Sequence, residues 1–174
     1  MFGTYEPRRS WRVGSRRKVE LFVSYARSNN PLARQFLDRF KEYVAPAKNY
    51  EYVFWQDSRI LVGEEWHEAI REALERCDLG LLLISPAFLG SKYISKHELP
   101  KFIGNAAKPL IPILLRPIDF ERFDLKGLKS RQIFRLEGEK FKSPKSYADC
   151  TSNQRDRFVQ ALFREVERKL DKLF

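Results

Sequence analysis

The stretch Leu79-Gly-Leu-Leu-Leu-Ile84-Ser-Pro-Ala-Phe-Leu-Gly90-Ser-Lys-Tyr-Ile-Ser-Lys-His-Glu98-Leu decides the fold. Its first six residues form an unbroken apolar run of strand length. Ser85-Pro86 interrupts it, and a short polar segment carrying one carboxylate follows. A continuous Leu/Ile run bounded by turn residues reads as a strand buried on both faces, as a parallel sheet requires. In open α/β sheets the ligand crevice lies beyond the carboxyl ends of such strands. Glu98 is therefore a candidate acid in a cleft. The competing reading is a solvated glutamate on a helix.

Working outward, the flanking sequence alternates strand and helix signals. Val19 to Ser24 reads as a first strand, running into Tyr25 and Ala26. Asn30-Pro31 is a helix start, an N-cap residue followed by proline at the first helical position. Leu32, Phe36, Leu37, Phe40 and Val44 then recur at helical spacing, and Pro46 stops the helix. Tyr50 to Trp55, aromatic and β-branched, is a second strand ending at Gln56-Asp57. After Gly63, Glu64 and Glu65 fall in a first helical turn, where the helix dipole favours acids. Trp66, Ile70, Ala73, Leu74 and Cys77 line the inner face of that helix.

Beyond the central strand the spacing predicts a short helix over 95–102 and a fourth strand from Pro109 to Leu115. Pro112 inside that strand argues for an irregular or edge position. Residues 116–131 are mixed and weakly helical, and Gln132 to Leu136 reads as a short fifth strand. An amphipathic helix from Ser152 to Leu173 closes the chain, apolar at Phe158, Val159, Leu162, Phe163, Val166, Leu170 and Leu173. The expected class is α/β: a flavodoxin-like, doubly wound, five-stranded parallel sheet with helices on both faces.

A chain of 174 residues fits one domain that buries about two-thirds of its unfolded surface. No apolar run approaches the ~20 residues of a membrane span, and no apolar core follows the basic N-terminus, so no export signal is read. Cys77 and Cys150 make neither a metal spacing nor a disulfide framework, and Cys77 reads as a buried free thiol. A reducing cytoplasm fits this usage.

Half of the formal net charge of +10 sits in residues 1–18, where Arg8, Arg9, Arg12, Arg16, Arg17 and Lys18 face only Glu6. This tail has no periodicity and reads as disordered, which leaves residues 19–174 as the folded domain. Such a tail suits nucleic acid, an acidic membrane or an acidic partner; a solubilising leader is the equal alternative.

The predicted topology brings three segments to one sheet edge: Ser24–Asn30, Asp57–Gly63 and Ser85–Glu98. They carry Ser24, Tyr25, Arg27, Asp57, Arg59, Ser85 and Glu98. No stretch fits a phosphate-binding G-x-x-x-x-G-K-[ST] or G-x-G-x-x-G, and His97-Glu98 lacks the second histidine of H-E-x-x-H. Neither His67 nor His97 has a nucleophile at triad spacing. A phosphoreceiver site would want paired acids where Ser24-Tyr25 stands. Nothing points to a metal or a bound cofactor. Trp55 reads as core and His97 as a solvated helix residue, while Asp57 also fits a simple turn start.

The blocks Leu21-Phe-Val-Ser-Tyr25, Phe54-Trp-Gln-Asp57, Gly63-Glu-Glu-Trp66 with Ile70 and Ala73-Leu74, and Cys77-Asp78-Leu79 through Leu89 resemble the TIR (Toll/interleukin-1 receptor) domain. Ser91-Lys-Tyr93 with Glu98-Leu99, and Pro109-Leu-Ile-Pro-Ile113, continue the resemblance. It covers roughly residues 19–172. Each block is weak alone; their order and spacing together are specific.

The family it resembles contains both adaptors that only assemble signalling complexes and NAD+ glycohydrolases with one essential glutamate. The resemblance implies that Glu98 is that glutamate. It implies that Ser24, Tyr25, Arg27, Asp57, Trp66, Ser85 and Tyr93 surround the nucleotide. It also implies that Arg59, Ile60, Leu61, Val62 and Gly63 form the BB-type assembly segment. Enzymatic members often carry an aromatic four residues before the glutamate; here Ile94 holds that place, and Tyr93 or Trp66 is expected to supply the stacking. The implied activity is immune or defence signalling through NAD+ cleavage, with NAD+ as substrate, hydrolysis or cyclisation left open, and self-association or a larger receptor as partner. The alternative is a non-enzymatic scaffold working by homotypic contacts.

Overall fold

The computed structural model describes residues 14–56, 64–138 and 141–174. Asp57 and the assembly segment Arg59, Ile60, Leu61, Val62 and Gly63 lie outside the described residues, as do residues 1–13 of the basic tail.

Four parallel strands make the sheet: β1 (Arg17–Ser24), β2 (Tyr50–Gln56), β3 (Leu79–Ile84) and β4 (Leu110–Leu114), in the order β2-β1-β3-β4. Between them run α1 (Asn30–Val44), α2 (Glu64–Arg76) and the short α3 (Pro86–Gly90), and α4 (Ser152–Leu173) closes the chain. All six residues of β3 are buried, as its unbroken apolar run requires.

Side-chain alternation along each strand sorts the core into two layers. Leu21, Val23, Leu81, Leu83, Ile111 and Ile113 face α1 and α4, while Phe22, Leu82, Ile84 and Leu114 face α2, α3 and the turns that follow. Helices thus cover both faces of a doubly wound sheet. Trp55 stacks on Phe22 with ring centroids 4.9 Å apart and belongs to the second layer, a core role. Gly80 lies on that same face because nothing larger fits: an added Cβ would lie 2.3 Å from the Phe102 ring.

Several boundaries differ from expectation. β1 starts at Arg17, two residues before Val19, because Arg17 and Lys18 pair in register with Tyr50 and Glu51. The Arg16 guanidinium also donates to Ala45 O at 2.9 Å, and Arg17 lies 3.5 Å over the Phe174 ring. These three cations of the basic segment therefore join the domain. The helix expected over 95–102 is instead a π-helical turn, Ile94–Glu98, followed by a 3-10 turn, Leu99–Lys101. Pro100, with no N–H, is consistent with this break from regular α-helix. Asn30 begins α1 rather than capping it. The cap position belongs to Asn29, whose side chain makes no cap bond.

The fifth strand is corrected: among the described residues the sheet has four. Gln132–Leu136 contributes only isolated bridges, Phe134 beside Ile113 and Leu136 beside Lys145. Phe134 N–H donates to Pro112 O at 2.7 Å and its carbonyl accepts from Leu114 N–H at 2.8 Å. A strand residue's N–H and C=O point the same way, so the donor Pro112 lacks would also lie on this side. The ladder ends there, and β4 is an edge strand as its proline suggests. Residues 116–131 are irregular apart from a 3-10 turn beginning at Ser130.

α4 matches its expected bounds. Thr151 and Gln154 form a capping box at its start, each satisfying a backbone N–H the helix leaves open. Leu173, read as part of its apolar stripe, is 40% exposed. Both cysteines are free and buried, and burial pushes the Cys77 thiol up to about 11. No described helix is long and apolar enough to cross a membrane.

Candidate active site

β1 and β3 are neighbours, yet β2 and its helix intervene between them in sequence. The chain changes winding direction here, and the carboxyl ends of two such strands are where open α/β sheets place their ligand crevice. Ser24 ends β1 and shares a face with Phe22, so alternation turns its hydroxyl toward the layer that holds the π-helical turn. Glu98 is the last residue of that turn and only 7% exposed. The Ser24 hydroxyl donates to Glu98 Oε2.

The wider turn is closed by Leu99 N–H donating to Ile94 O, one residue further back than an α-helix would reach. Ile94 and Leu99 are both buried in the second core layer, so the turn carrying Glu98 is anchored on each side of the acid. Burying a carboxylate costs free energy unless it is hydrogen-bonded. Ser24 meets part of that cost, and a fold retains such a group mainly where it has work to do.

Ser85 follows β3 and is fully buried. Its Oγ accepts from Phe88 N–H at 3.0 Å, capping α3, and from Asn29 Nδ2 at 2.5 Å. Both acceptor positions are thereby filled, and through them Ser85 braces the turn after β1 and the start of α3. Tyr25 packs on the α1–α4 side of the sheet and its hydroxyl donates to Asn30 Oδ1 at 3.3 Å. It does not share the face of Ser24.

Arg27, Trp66 and Tyr93 do come together. The Arg27 guanidinium lies 4.6 Å over the Trp66 ring, and Trp66 meets Tyr93 at 4.7 Å between centroids. His97 packs on Tyr93 at 4.6 Å and on His67 at 4.8 Å, while Tyr93 Oη and His67 Nδ1 are 3.1 Å apart. His97 is thus part of an aromatic group rather than a solvated helix residue. Burial, then the neighbouring His67 and Lys96, hold its pKa below the usual histidine value.

Two site residues escape the sequence reading. Asn29, 5% exposed, donates to Ser85 and accepts at Oδ1 from Arg116 Nε at 2.9 Å. Arg116 stands just beyond β4, its backbone N–H 3.3 Å from Ile84 O. The signal that finds it is positional: it follows the fourth strand as Ser85 follows the third. Asn29 stands inside the Ser24–Asn30 segment with no spacing of its own to mark it, and only the fold shows its side chain turned inward.

Among the described residues no three histidines, cysteines or acids are arranged for a metal. A separate groove of about 690 Å³ between β4, Phe134 and α4 shares no residue with the site.

A family model described as "TIR domain" matches residues 21–161. A protein of Sinorhizobium fredii described as "Uncharacterized protein y4lF" is 30% identical over 106 residues, covering 58% of this chain and 31% of that protein. The match therefore spans about a third of the relative's length.

Proposed function

The chain belongs to the TIR domain family of signalling modules, and on that premise we propose that it cleaves the nicotinamide–ribose bond of NAD+ in defence signalling, activated by self-association. The observation that carries this reading is the buried Glu98 carboxylate at the switch point, held by Ser24.

Glycosyl-bond cleavage passes through an oxocarbenium-like sugar. Ordinary glycosidases add a general acid for the leaving oxygen. Nicotinamide in NAD+ is already a cationic pyridinium: when the C1′–N1 bond breaks, the pair returns to the ring, which departs neutral. One carboxylate is then sufficient. Glu98 stabilises the positive charge growing on the ribose and accepts a proton from the attacking water or hydroxyl. Ser24 orients the carboxylate, and the Trp66–Tyr93 pair with Arg27 offers a stacking face and a cation for the nucleotide.

Incubating concentrated protein with NAD+ and following nicotinamide release tests this. Release with stoichiometric ADP-ribose, or a cyclic product, is expected, and both are lost in Glu98→Gln. No release at concentrations where the protein self-associates would leave the scaffold reading in its place.

A further inference from the structure

Arg116 is exposed and pinned. Its Nε–H is spent on Asn29 Oδ1, and Asn29 is itself fixed by Ser85 at 2.5 Å and almost fully buried. A guanidinium held at Nε keeps its two terminal nitrogens as a forward-facing fork, the geometry that accepts two oxygens of a phosphate. Three strand ends contribute to this arrangement: Asn29 from the turn after β1, Ser85 after β3, and Arg116 after β4.

The holder is an amide and not a carboxylate, so it orients the guanidinium without cancelling its charge. No ion pair among the described residues involves Arg116. Arg27 and Asn29 belong to one three-residue 3-10 turn. The same short turn therefore presents one arginine at the Trp66 ring and buttresses another beside β4. A surface arginine chosen only for solubility would not need a buried asparagine behind it.

We infer that Arg116, positioned by Asn29, binds the diphosphate of the dinucleotide and anchors it across the carboxyl edge of the sheet. This rests on the NAD+ reading for the identity of the ligand, while the anion site itself stands on the Asn29–Arg116 geometry. The diphosphate lies between the two nucleosides, so a cation fixed here locates the substrate without touching the bond that breaks. Its contribution falls on binding and leaves the chemical step alone.

The test uses ADP-ribose as a binding probe and two substrates that share the scissile bond, NAD+ and the phosphate-free nicotinamide riboside. Arg116→Gln removes the cation. Asn29→Asp places a carboxylate against it and neutralises the fork while keeping the side-chain shape. Both are expected to weaken ADP-ribose by about ten- to a hundredfold, the range for losing a charge-assisted hydrogen-bond pair, and to flatten the dependence of binding on salt. Arg116→Lys restores part of the affinity. In Arg116→Gln, KM for NAD+ rises by a similar factor with kcat little changed, and kcat/KM for nicotinamide riboside stays at the wild-type value. ADP-ribose binding unchanged in Arg116→Gln would overturn the inference, as would wild-type protein that fails to bind ADP-ribose at millimolar concentration. Equal losses on both substrates would also overturn it, marking Arg116 as structural. Should the wild type bind ADP-ribose through Arg116 yet release no nicotinamide, the catalytic reading falls and the anion site stands.

Discussion

Ser24 donates its hydroxyl to Glu98 Oε2 across 74 residues of chain, joining the end of the first strand to the turn that follows the third. The bond fixes the orientation of the Glu98 carboxylate from the end of the first strand. Glu98→Gln preserves size and removes the charge. It is expected to lower nicotinamide release by on the order of 10²–10⁴ with the melting temperature nearly unchanged. Ser24→Ala releases the carboxylate from its partner and is expected to cost about tenfold in kcat, the scale of one lost buried hydrogen bond. A Ser24→Ala protein turning over at the wild-type rate would show that Glu98 is held by other contacts.

The Trp66 ring meets both the Arg27 guanidinium at 4.6 Å and Tyr93 at 4.7 Å. Such a stacked group adds about 0.5–1.5 kcal/mol per partner beyond simple burial. Trp66→Ala is therefore expected to raise KM for NAD+ by a few- to about tenfold with a smaller effect on kcat. Trp55→Phe, a conservative change in a ring that stacks on Phe22 inside the core, is expected to change stability and not KM. Initial rates across an NAD+ series distinguish the two.

The sheet was legible because β3 is apolar at every position and its neighbours β1 and β4 are buried over most of their length, the pattern that burial on both faces dictates. The π-helical turn was not: Ile94, Leu99 and Phe102 are buried together, yet their spacing also fits an ordinary helix, and one inserted residue leaves no mark in composition. Gln132–Leu136 has a strand's residues but only one of them, Phe134, finds a partner on β4, since Pro112 has no N–H to extend the ladder. At the site, Ser24, Ser85 and Glu98 could be placed from strand ends. That Ser85 is consumed in capping α3 depends on distances no spacing records. Asn29 and Arg116 are 87 residues apart, and only the closed sheet makes them neighbours.

β2 is tied to the last turns of α4 by two tyrosines. Tyr50 donates to Asp171 at 2.8 Å and Tyr52 donates to Glu167. Burial, followed by the acceptor carboxylates, pushes Tyr50 up to about 12 and Tyr52 higher still. Folded values above the unfolded value of about 10 mean that the unfolded chain ionises first. The stabilisation is thus complete below pH ~10 and is lost as pH rises through about 12. Urea midpoints are expected to fall over that alkaline range, and a Tyr50→Phe/Tyr52→Phe protein should start lower but decline less. Parallel curves for the two proteins would assign the alkaline loss to other groups.

The basic segment divides at the first strand. Removing residues 1–13 is expected to leave the melting temperature nearly unchanged, and any nucleic-acid or anionic-lipid binding by this protein should weaken with it. Removing residues 1–18 deletes two rungs of the β1–β2 ladder, the Arg16 bonds to Ala45 O and Ala47 O, and the Arg17–Phe174 contact. In a domain of this size each kcal/mol corresponds to about 2–4 °C, so a drop of several degrees is expected. Calorimetric scans of the two truncations decide it; equal melting temperatures would mean that Arg16 to Lys18 contribute nothing to the fold.

Residues 57–63 join Gln56, at the end of β2, to Glu64, at the start of α2. Ile60, Leu61 and Val62 are three consecutive apolar residues where a connection is ordinarily polar, and the proposed self-association gives such a run a partner surface to meet. The segment leads into the turn of α2 that presents Trp66 to Arg27 and Tyr93, so a partner that seats on it would act on the group proposed to hold the nucleotide. A head-to-tail contact of this kind builds open filaments rather than closed dimers. Specific activity is accordingly expected to rise with protein concentration or crowding, and Ile60→Asp, which sets a charge in the apolar run, should suppress the rise while leaving the melting temperature in place. Light scattering on the same samples should show the variant staying small. Specific activity constant over a hundredfold dilution, with Ile60→Asp indistinguishable from wild type, would place the complete site within one chain.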